Sequence, residues 1–221
     1  MKKVIVLVAI MASTQAFSQL HYGVQVSANL SDADLKSANT SKLSKDMKAL
    51  SGATLVGEYS ITKNVSVRTS LGLLQKGVEV SGISNGTGAP GGFNSSINTT
   101  LNYLEMPWNF VYNIHFKSAK LMIGAGPSFG LGISGKAKTM FTDPANPSTK
   151  HNEEVDAFKD EKDGGLGFKR FDASASALVG IGFKKGLYFT ASYLYGVSNL
   201  SSDKDEYKNR GLQLSLGFMF K

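Results

Sequence analysis

The sequence predicts an all-β fold, an eight-stranded antiparallel up-and-down transmembrane β-barrel. Large apolar residues alternate with small or polar ones in eight separate stretches, a pattern typical of strands with one apolar face. The connections between these stretches are alternately short and long, which favours short periplasmic turns and long extracellular loops. The faces opposite the apolar ones are polar and glycine-rich, so the inside of the barrel is predicted to be hydrophilic.

The first 18 residues predict a secretory signal peptide. Lys2 and Lys3 precede an apolar run from Val4 to Met11, and Ala16-Phe17-Ser18 is a small-x-small triplet suited to signal peptidase. The domain organisation is therefore a signal peptide at 1–18 and an outer-membrane β-barrel domain at 19–221. Because no later segment approaches the roughly 18 apolar residues that a spanning helix needs, the mature chain is expected to cross a membrane with strands.

The eight strands are expected near residues 20–30, 51–61, 65–80, 97–114, 119–134, 169–183, 187–198 and 209–220. Tight turns follow the second, fourth and sixth strands, at 62–64, 115–118 and 184–186. The longest of the other connections runs from about 135 to 168. A strand of about 11 residues, tilted near 40°, covers about the 25 Å apolar band of such barrels.

The closing strand shows the predicted faces most clearly. Leu212, Leu214, Leu216 and Phe218 are expected to face lipid, with Gln213 and Ser215 facing the axis. Aromatic residues near the turn-side strand ends predict a periplasmic interfacial girdle: Tyr22, Tyr59, Tyr112, Phe116, Phe183, Phe189, Phe218 and Phe220.

Three segments of the long loops have patterns of their own. Leu43, Met47 and Leu50 recur at helical spacing, and 152–162 begins with a candidate cap followed by acidic residues. Both segments are expected to be mobile loops, with a short helix in either as the alternative. The segment 81–96 is rich in Gly, Ser and Asn, which predicts a flexible, solvent-exposed loop.

Composition excludes several functions. The chain has no cysteine, which rules out disulfides and thiolate metal sites. The formal charge of +7 is scattered along the chain, so no nucleic-acid partner is predicted. The three histidines, His21, His115 and His151, have no serine at the short strand spacing of barrel hydrolases, and a non-enzymatic protein without cofactor or metal is expected.

A polar network inside the lumen is predicted around Glu58, Arg68 and Glu105. Residues 58 and 68 are equally far from residue 63 in the middle of a tight turn, so Glu58 and Arg68 are expected to face each other. Glu105 lies higher, on the fourth strand, and is a candidate third member. Because lone charges in a narrow lumen are costly, a structural plug of paired groups is expected, with an ion gate as the alternative.

The chain resembles the PorT-like outer-membrane β-barrel family of Gram-negative bacteria. The likeness rests on the signal peptide ending before Gln19, on the glycine-spaced closing strand to Phe220, and on Tyr103-Leu104-Glu105-Met106-Pro107, which is similar to that family's Tyr-Leu-Glu-Ile-Pro motif. The resemblance implies a cell outer membrane location, surrounding outer-membrane lipid, and insertion by the barrel assembly machinery. Similar barrels serve as anchors, adhesion surfaces and secretion-system components, so fold does not fix activity.

The function expected from these observations is that of a rigid membrane scaffold whose long loops contact a protein or glycan partner or the environment. A narrow channel for ions or small solutes, a secretion-system component and a soluble secreted binding barrel are the alternatives.

Overall fold

The computed structural model describes residues 19–36, 44–84, 93–142, 150–202 and 206–220. The predicted signal peptide lies outside these residues. The strands are β1 (Leu20–Lys36), β2 (Ser44–Asp46), β3 (Lys48–Ser60), β4 (Val65–Ser84), β5 (Phe93–His115), β6 (Ala119–Thr142), β7 (Lys150–Asp156), β8 (Phe171–Phe183), β9 (Leu187–Gly196) and β10 (Glu206–Met219), with a short 3-10 helix at Glu161–Asp163.

Eight of these strands close into a barrel in the order β1, β3, β4, β5, β6, β8, β9, β10. Every neighbouring pair is antiparallel, and the first and last strands pair with each other, with Val24 opposite Phe218. The predicted eight-stranded up-and-down barrel is confirmed. Closure leaves the ring without an unpaired edge, so its backbone amides and carbonyls bond within the sheet.

The short connections share one rim of the barrel, called here the turn end; the opposite rim is the loop end. In the first turn the Ile61 amide donates to the Val65 carbonyl at 2.9 Å, and in the second the Phe116 amide donates to the Ala119 carbonyl at 2.8 Å. The third turn needs a glycine because Gly186 has a φ of 95°. The start of β1 at Leu20 and the end of β10 at Met219 also lie at the turn end of the barrel.

The two faces of the closing strand are as predicted. Leu212, Leu214, Leu216 and Phe218 are exposed on the outside, whereas Gln213 and Ser215 are buried inside. On the partner strand β1, outward apolar residues run from Leu20 to Leu30. These outward residues and their counterparts on the other strands form a continuous apolar belt, far larger than the patches that soluble monomers expose.

Strands β4, β5 and β6 extend beyond the belt at the loop end, where the sequence pattern predicted loops. β4 and β5 pair as far as Ser84 opposite Phe93, so most of the described part of 81–96 is strand. β6 continues to Thr142 and pairs with β7, within the predicted loop 135–168. These segments bond their backbones to neighbouring strands, and this pairing stabilises them although many of their residues are small or polar.

Within the described residues, the alternative of a short α-helix is not realised in either of the two loop segments, and each segment is partly paired strand. Met47 and Leu50 lie at the junction of β2 and β3, whose backbones pair with β4 and β1; Leu43 is outside the described residues. Residues 152–156 belong to β7, and the only helix in 152–162 is the beginning of the 3-10 turn at Glu161–Asp163. Cross-strand pairing with β6 outweighs the local helical pattern.

An apolar cluster closes the barrel at the loop end. Phe158, from the segment after β7, meets Tyr103 edge-on at 5.9 Å between ring centroids. Gly132 makes room for it, since a Cβ at that position would lie 2.3 Å from Cζ of Phe158. We call this group the lid cluster; its buried members are Ala33, Val78, Leu101, Tyr103, Ala157, Phe158, Leu200 and Tyr207. Among the described residues there is no helix long and apolar enough to span a membrane.

Candidate functional site

Three charged side chains meet inside the turn-end half of the barrel and form the lower triad: Glu58, Arg68 and Lys120. Glu58 lies opposite Arg68 in the β3–β4 register, and Arg68 Nη1 donates to Glu58 Oε2 at 2.9 Å. Lys120, on β6, donates to the other oxygen, Oε1. Glu58 and Arg68 are almost fully buried, while the Lys120 side chain is 30% exposed. Two cations share one carboxylate, so the lower triad carries a net charge of +1.

Neighbouring groups fix the geometry of the lower triad. The Arg68 guanidinium lies 4.2 Å from the centroid of the Tyr188 ring, a cation–π contact. The Tyr188 hydroxyl donates to Gln25 Oε1 at 3.1 Å. Gly217 leaves space for this ring, because a Cβ there would lie 2.2 Å from the Tyr188 hydroxyl oxygen. Ion pairs with Glu58 and the contact with the Tyr188 ring therefore fix the position of the Arg68 side chain.

A second group of three charges, the upper triad, lies nearer the loop end: Lys76, Glu105 and Asp172. Lys76 Nζ lies 2.8 Å from Glu105 Oε2 and 2.9 Å from Asp172 Oδ2, and all three side chains are buried. Ser128 Oγ donates to Glu105 at 2.6 Å, and Asn209 Nδ2 donates to Asp172 at 2.8 Å. One cation serves two carboxylates here, so the upper triad carries a net charge of −1.

The structure separates the three residues that the sequence singled out. It brings Glu58 and Arg68 together across the first tight turn, whereas Glu105 joins Lys76 in the other triad. Lys76, Lys120 and Asp172 were missed. Strict alternation along each strand would have found them, because residues an even number of positions apart face the same side. Lys76 is an even number of residues from the inward Arg68. Lys120 and Asp172 are an even number of residues from inward glycines and serines on their own strands.

Two cavities lie along the barrel axis. The larger, the vestibule, has a volume of about 300 Å³ at the turn end and reaches Glu58, Arg68 and Lys120. The smaller has a volume of about 40 Å³ and lies between the triads, with Arg68 and Glu105 in its wall. Arg68 Nη2, Thr54 Oγ1 and Asn109 Oδ1 around it are buried without a hydrogen-bond partner. A polar space of this size has room for a few bridging waters.

The described residues contain no group of three or more histidine or carboxylate side chains placed to hold a metal ion. His115 Nε2 contacts the Lys63 carbonyl oxygen at 2.8 Å, and His21 lines the vestibule. The side chain of His151 is outside the described part of the chain. The carboxylates of both triads pair with cations and accept from hydroxyl or amide donors.

A comparison with protein-family models matches residues 11–202 to the outer membrane protein beta-barrel domain. The chain belongs to this family. It is accordingly a transmembrane β-barrel of the Gram-negative outer membrane, with lipid around its apolar belt. The turn end faces the periplasm, and the loop end faces the cell exterior.

A comparison with solved structures gives matches at low sequence identity. Ail, the attachment invasion locus protein of Yersinia pestis, is 16% identical, with 91% of this chain and 99% of that chain covered and a TM-score of 0.42. OprG of Pseudomonas aeruginosa is 11% identical, with 91% and 94% covered and a TM-score of 0.42. Neisserial surface protein A is 11% identical, with 90% and 97% covered and a TM-score of 0.38. A search of curated proteins gave no match.

Proposed function

We propose that this protein is a non-enzymatic outer-membrane scaffold that presents an ordered surface to the cell exterior. The observation that carries the proposal is the extension of β4, β5 and β6 beyond the apolar belt, flanked by β2 and β7. We call these strands above the belt the outer sheet. A paired sheet holds its side chains in fixed relative positions, which lowers the entropic cost of binding a partner.

The outer surface of this sheet has the chemistry of a recognition surface. Lys136 and Lys138 on β6 both pair with Glu154 on β7. Their hydrogen bonds and charge attraction lower the pKa of Glu154 and raise that of Lys136. Because these side chains are exposed to water, the ion pairs contribute little to the stability of the protein. Next to them, the side-chain amides of Asn98 and Asn102 donate to Glu79 and Ser134. Mixed charges and amides suit a protein or glycan partner.

The filled lumen supports the scaffold over the channel. Two buried triads and the lid cluster lie in series along the axis, and each lacks the open polar path that ion conduction needs. The small cavity between the triads is the feature that favours the channel alternative. Conductance of the mature protein in planar bilayers at background level is expected; steps well above background would favour the channel.

We further propose that the protein is a PorT-like member of this family. A role in secretion would follow from that membership. Its motif residues hold structural positions: Tyr103 is in the lid cluster and Glu105 is in the upper triad. Assembly by the barrel assembly machinery is likewise proposed, on the basis of the aromatic residue Phe220 that follows the closing strand. The positions of Tyr103 and Glu105 explain the motif by packing and ion pairing, so the motif gives no independent support for a role in secretion.

The scaffold is tested by site-specific photo-crosslinking in intact cells. A photoreactive residue replaces Met140, which is exposed on the outer sheet, and in a matched control it replaces Phe116 in a periplasmic turn. The expected result is a discrete adduct with a surface protein or glycan from position 140, abolished by the charge reversals Lys136→Glu and Lys138→Glu. An adduct pattern equal at both positions, or none at 140 under conditions where 116 reacts, would overturn surface display.

A further inference from the structure

The vestibule at the periplasmic end is not needed by a surface scaffold, and its lining is chemically uneven. Among the lining residues, Arg68, Lys120 and Lys184 are cationic, whereas Glu58 is the only carboxylate. His21 and His115 add two further nitrogen-bearing side chains. The floor and rim of the cavity therefore carry an excess of positive charge.

The excess charge at the floor is not neutralised by another lining group. Glu58 already accepts from both Arg68 and Lys120, and the lower triad remains at +1. Arg68 is only 5% exposed, whereas the Lys120 side chain is 30% exposed and is the more accessible cation of the lower triad. A partly buried cation in a group with net positive charge is stabilised by an anion that comes within hydrogen-bond distance.

Much of the remaining lining is apolar. Met122, Tyr188, Leu187 and Met219 contribute to the walls, and Val111, Met122, Leu178 and Tyr188 form a buried cluster against which Met219 packs. A volume of about 300 Å³ is at the lower end of small-molecule pockets. Ligand sites of this kind combine apolar walls with a few converging polar groups that orient the ligand.

We propose that the vestibule binds a small organic carboxylate from the periplasm, with its anionic group at Lys120 and Arg68 and its apolar body against Met122, Tyr188 and Met219. The carboxylate accepts from the Lys120 ammonium, which is 30% exposed at the edge of the triad. Its hydrocarbon part replaces water along the apolar wall. The site is independent of the outer sheet, so it stands or falls separately from surface display.

The test is a titration of the mature protein in zwitterionic lipid nanodiscs, labelled with ¹⁵N-glycine, using hexanoate as the probe. Gly182 and Gly186 line the vestibule, while Gly130 and Gly132 lie at the upper triad and the lid cluster. The expected result is a saturable shift of the Gly182 and Gly186 amide signals with Gly130 and Gly132 unchanged. Hexanol, which has a chain of the same length without charge, is expected to bind at least tenfold more weakly.

Two variants separate the site from a general charge effect. Lys120→Gln removes the excess charge but leaves the Glu58–Arg68 pair intact, and it is expected to weaken hexanoate at least fivefold. Lys185→Gln removes an exposed lysine of the neighbouring turn that does not line the cavity, and it is expected to leave affinity unchanged. If Lys120→Gln does not fold, Lys184→Gln and the hexanol comparison serve instead.

Three outcomes would overturn the proposal: no saturable shift at Gly182 and Gly186, hexanol binding as tightly as hexanoate, or equal weakening by Lys120→Gln and Lys185→Gln. Inorganic phosphate provides a further arm. Binding of phosphate as tightly as hexanoate would show a bare anion site and reject the apolar part of the proposal. Weaker phosphate binding is the expected result, since phosphate makes no use of the walls.

Discussion

The membrane half and the outer half of this barrel use the same strands with opposite polarity. On β1 the outward residues are apolar up to Leu30 and the inward ones are polar, including Ser27 and Asn29. Beyond Leu30 the outward residues are Asp32 and Asp34, whereas the inward Ala33 is fully buried in the lid cluster. The strand continues and its alternation continues, but the apolar face moves from the outside to the inside.

β4 shows the same reversal. Leu71 and Leu73 face lipid, followed on the same face by Gln75 and Glu79, while the inward side changes from polar residues to Val78. The medium outside the barrel explains this difference. Lipid favours apolar side chains on the outside and leaves polar groups to pair within, whereas water favours the usual arrangement with an apolar interior. Strands β1 and β4 therefore have an apolar outer face within the membrane and an apolar inner face above it.

The largest expected effect is at the level where the reversal occurs, in the upper triad. Lys76→Met leaves Glu105 and Asp172 buried without their cation, and it is expected to lower the free energy of unfolding by about 3–5 kcal/mol. Lys120→Met is the matched control, because Arg68 still pairs with Glu58, and a much smaller loss is expected. Urea unfolding in phospholipid vesicles measures both. Equal losses would contradict the assignment of opposite net charges to the two triads.

A medium effect is expected from placing a charge on the apolar belt. Leu214 faces lipid near the middle of the belt, and Leu214→Arg is expected to cost about 2–4 kcal/mol in the same vesicles. Lys208 lies on the same strand above the belt, opposite Asp34. Lys208→Leu is expected to change stability by no more than about 0.5 kcal/mol. A clear stabilisation by Lys208→Leu, as expected when a charge is removed from lipid, would mean that the belt extends further toward the loop end on β10.

The sequence is sufficient to predict the ring and its faces because the alternation in the membrane half is regular and always places the apolar residues on the outside. Glu58 and Arg68 can be paired from their positions in the chain, since a tight turn sets the register of its two strands. Lys76 is within reach of the same reasoning, because it continues the inward series of Arg68 and Gly72 along β4. The pattern does not single it out, since the outward residues beside it are no longer apolar.

The outer sheet and the lid cluster are harder to predict. The reversal of polarity gives the ends of β4, β5 and β6 the composition of polar loops, although their backbones are paired. Phe158 and Leu200 come from connections without a repeating pattern, and they meet Tyr103 and Tyr207 only through the closed ring. Contacts between residues so distant in sequence depend on tertiary packing, which local patterns do not encode.

The smallest expected effect is at the outer face just above the belt. Arg210 Nη2 donates to Asp34 at 2.7 Å, and its guanidinium lies 4.6 Å from the centroid of the Tyr195 ring. Both charged side chains are about 30% exposed, so water screens the pair, and Arg210→Ala is expected to cost about 0.2–1 kcal/mol. The cost should fall further at high salt. A salt-independent loss of about 3 kcal/mol, the size expected for a buried pair, would mean that Arg210 lies in lipid. The level at which the barrel reverses polarity would then lie one pair of residues further toward the loop end.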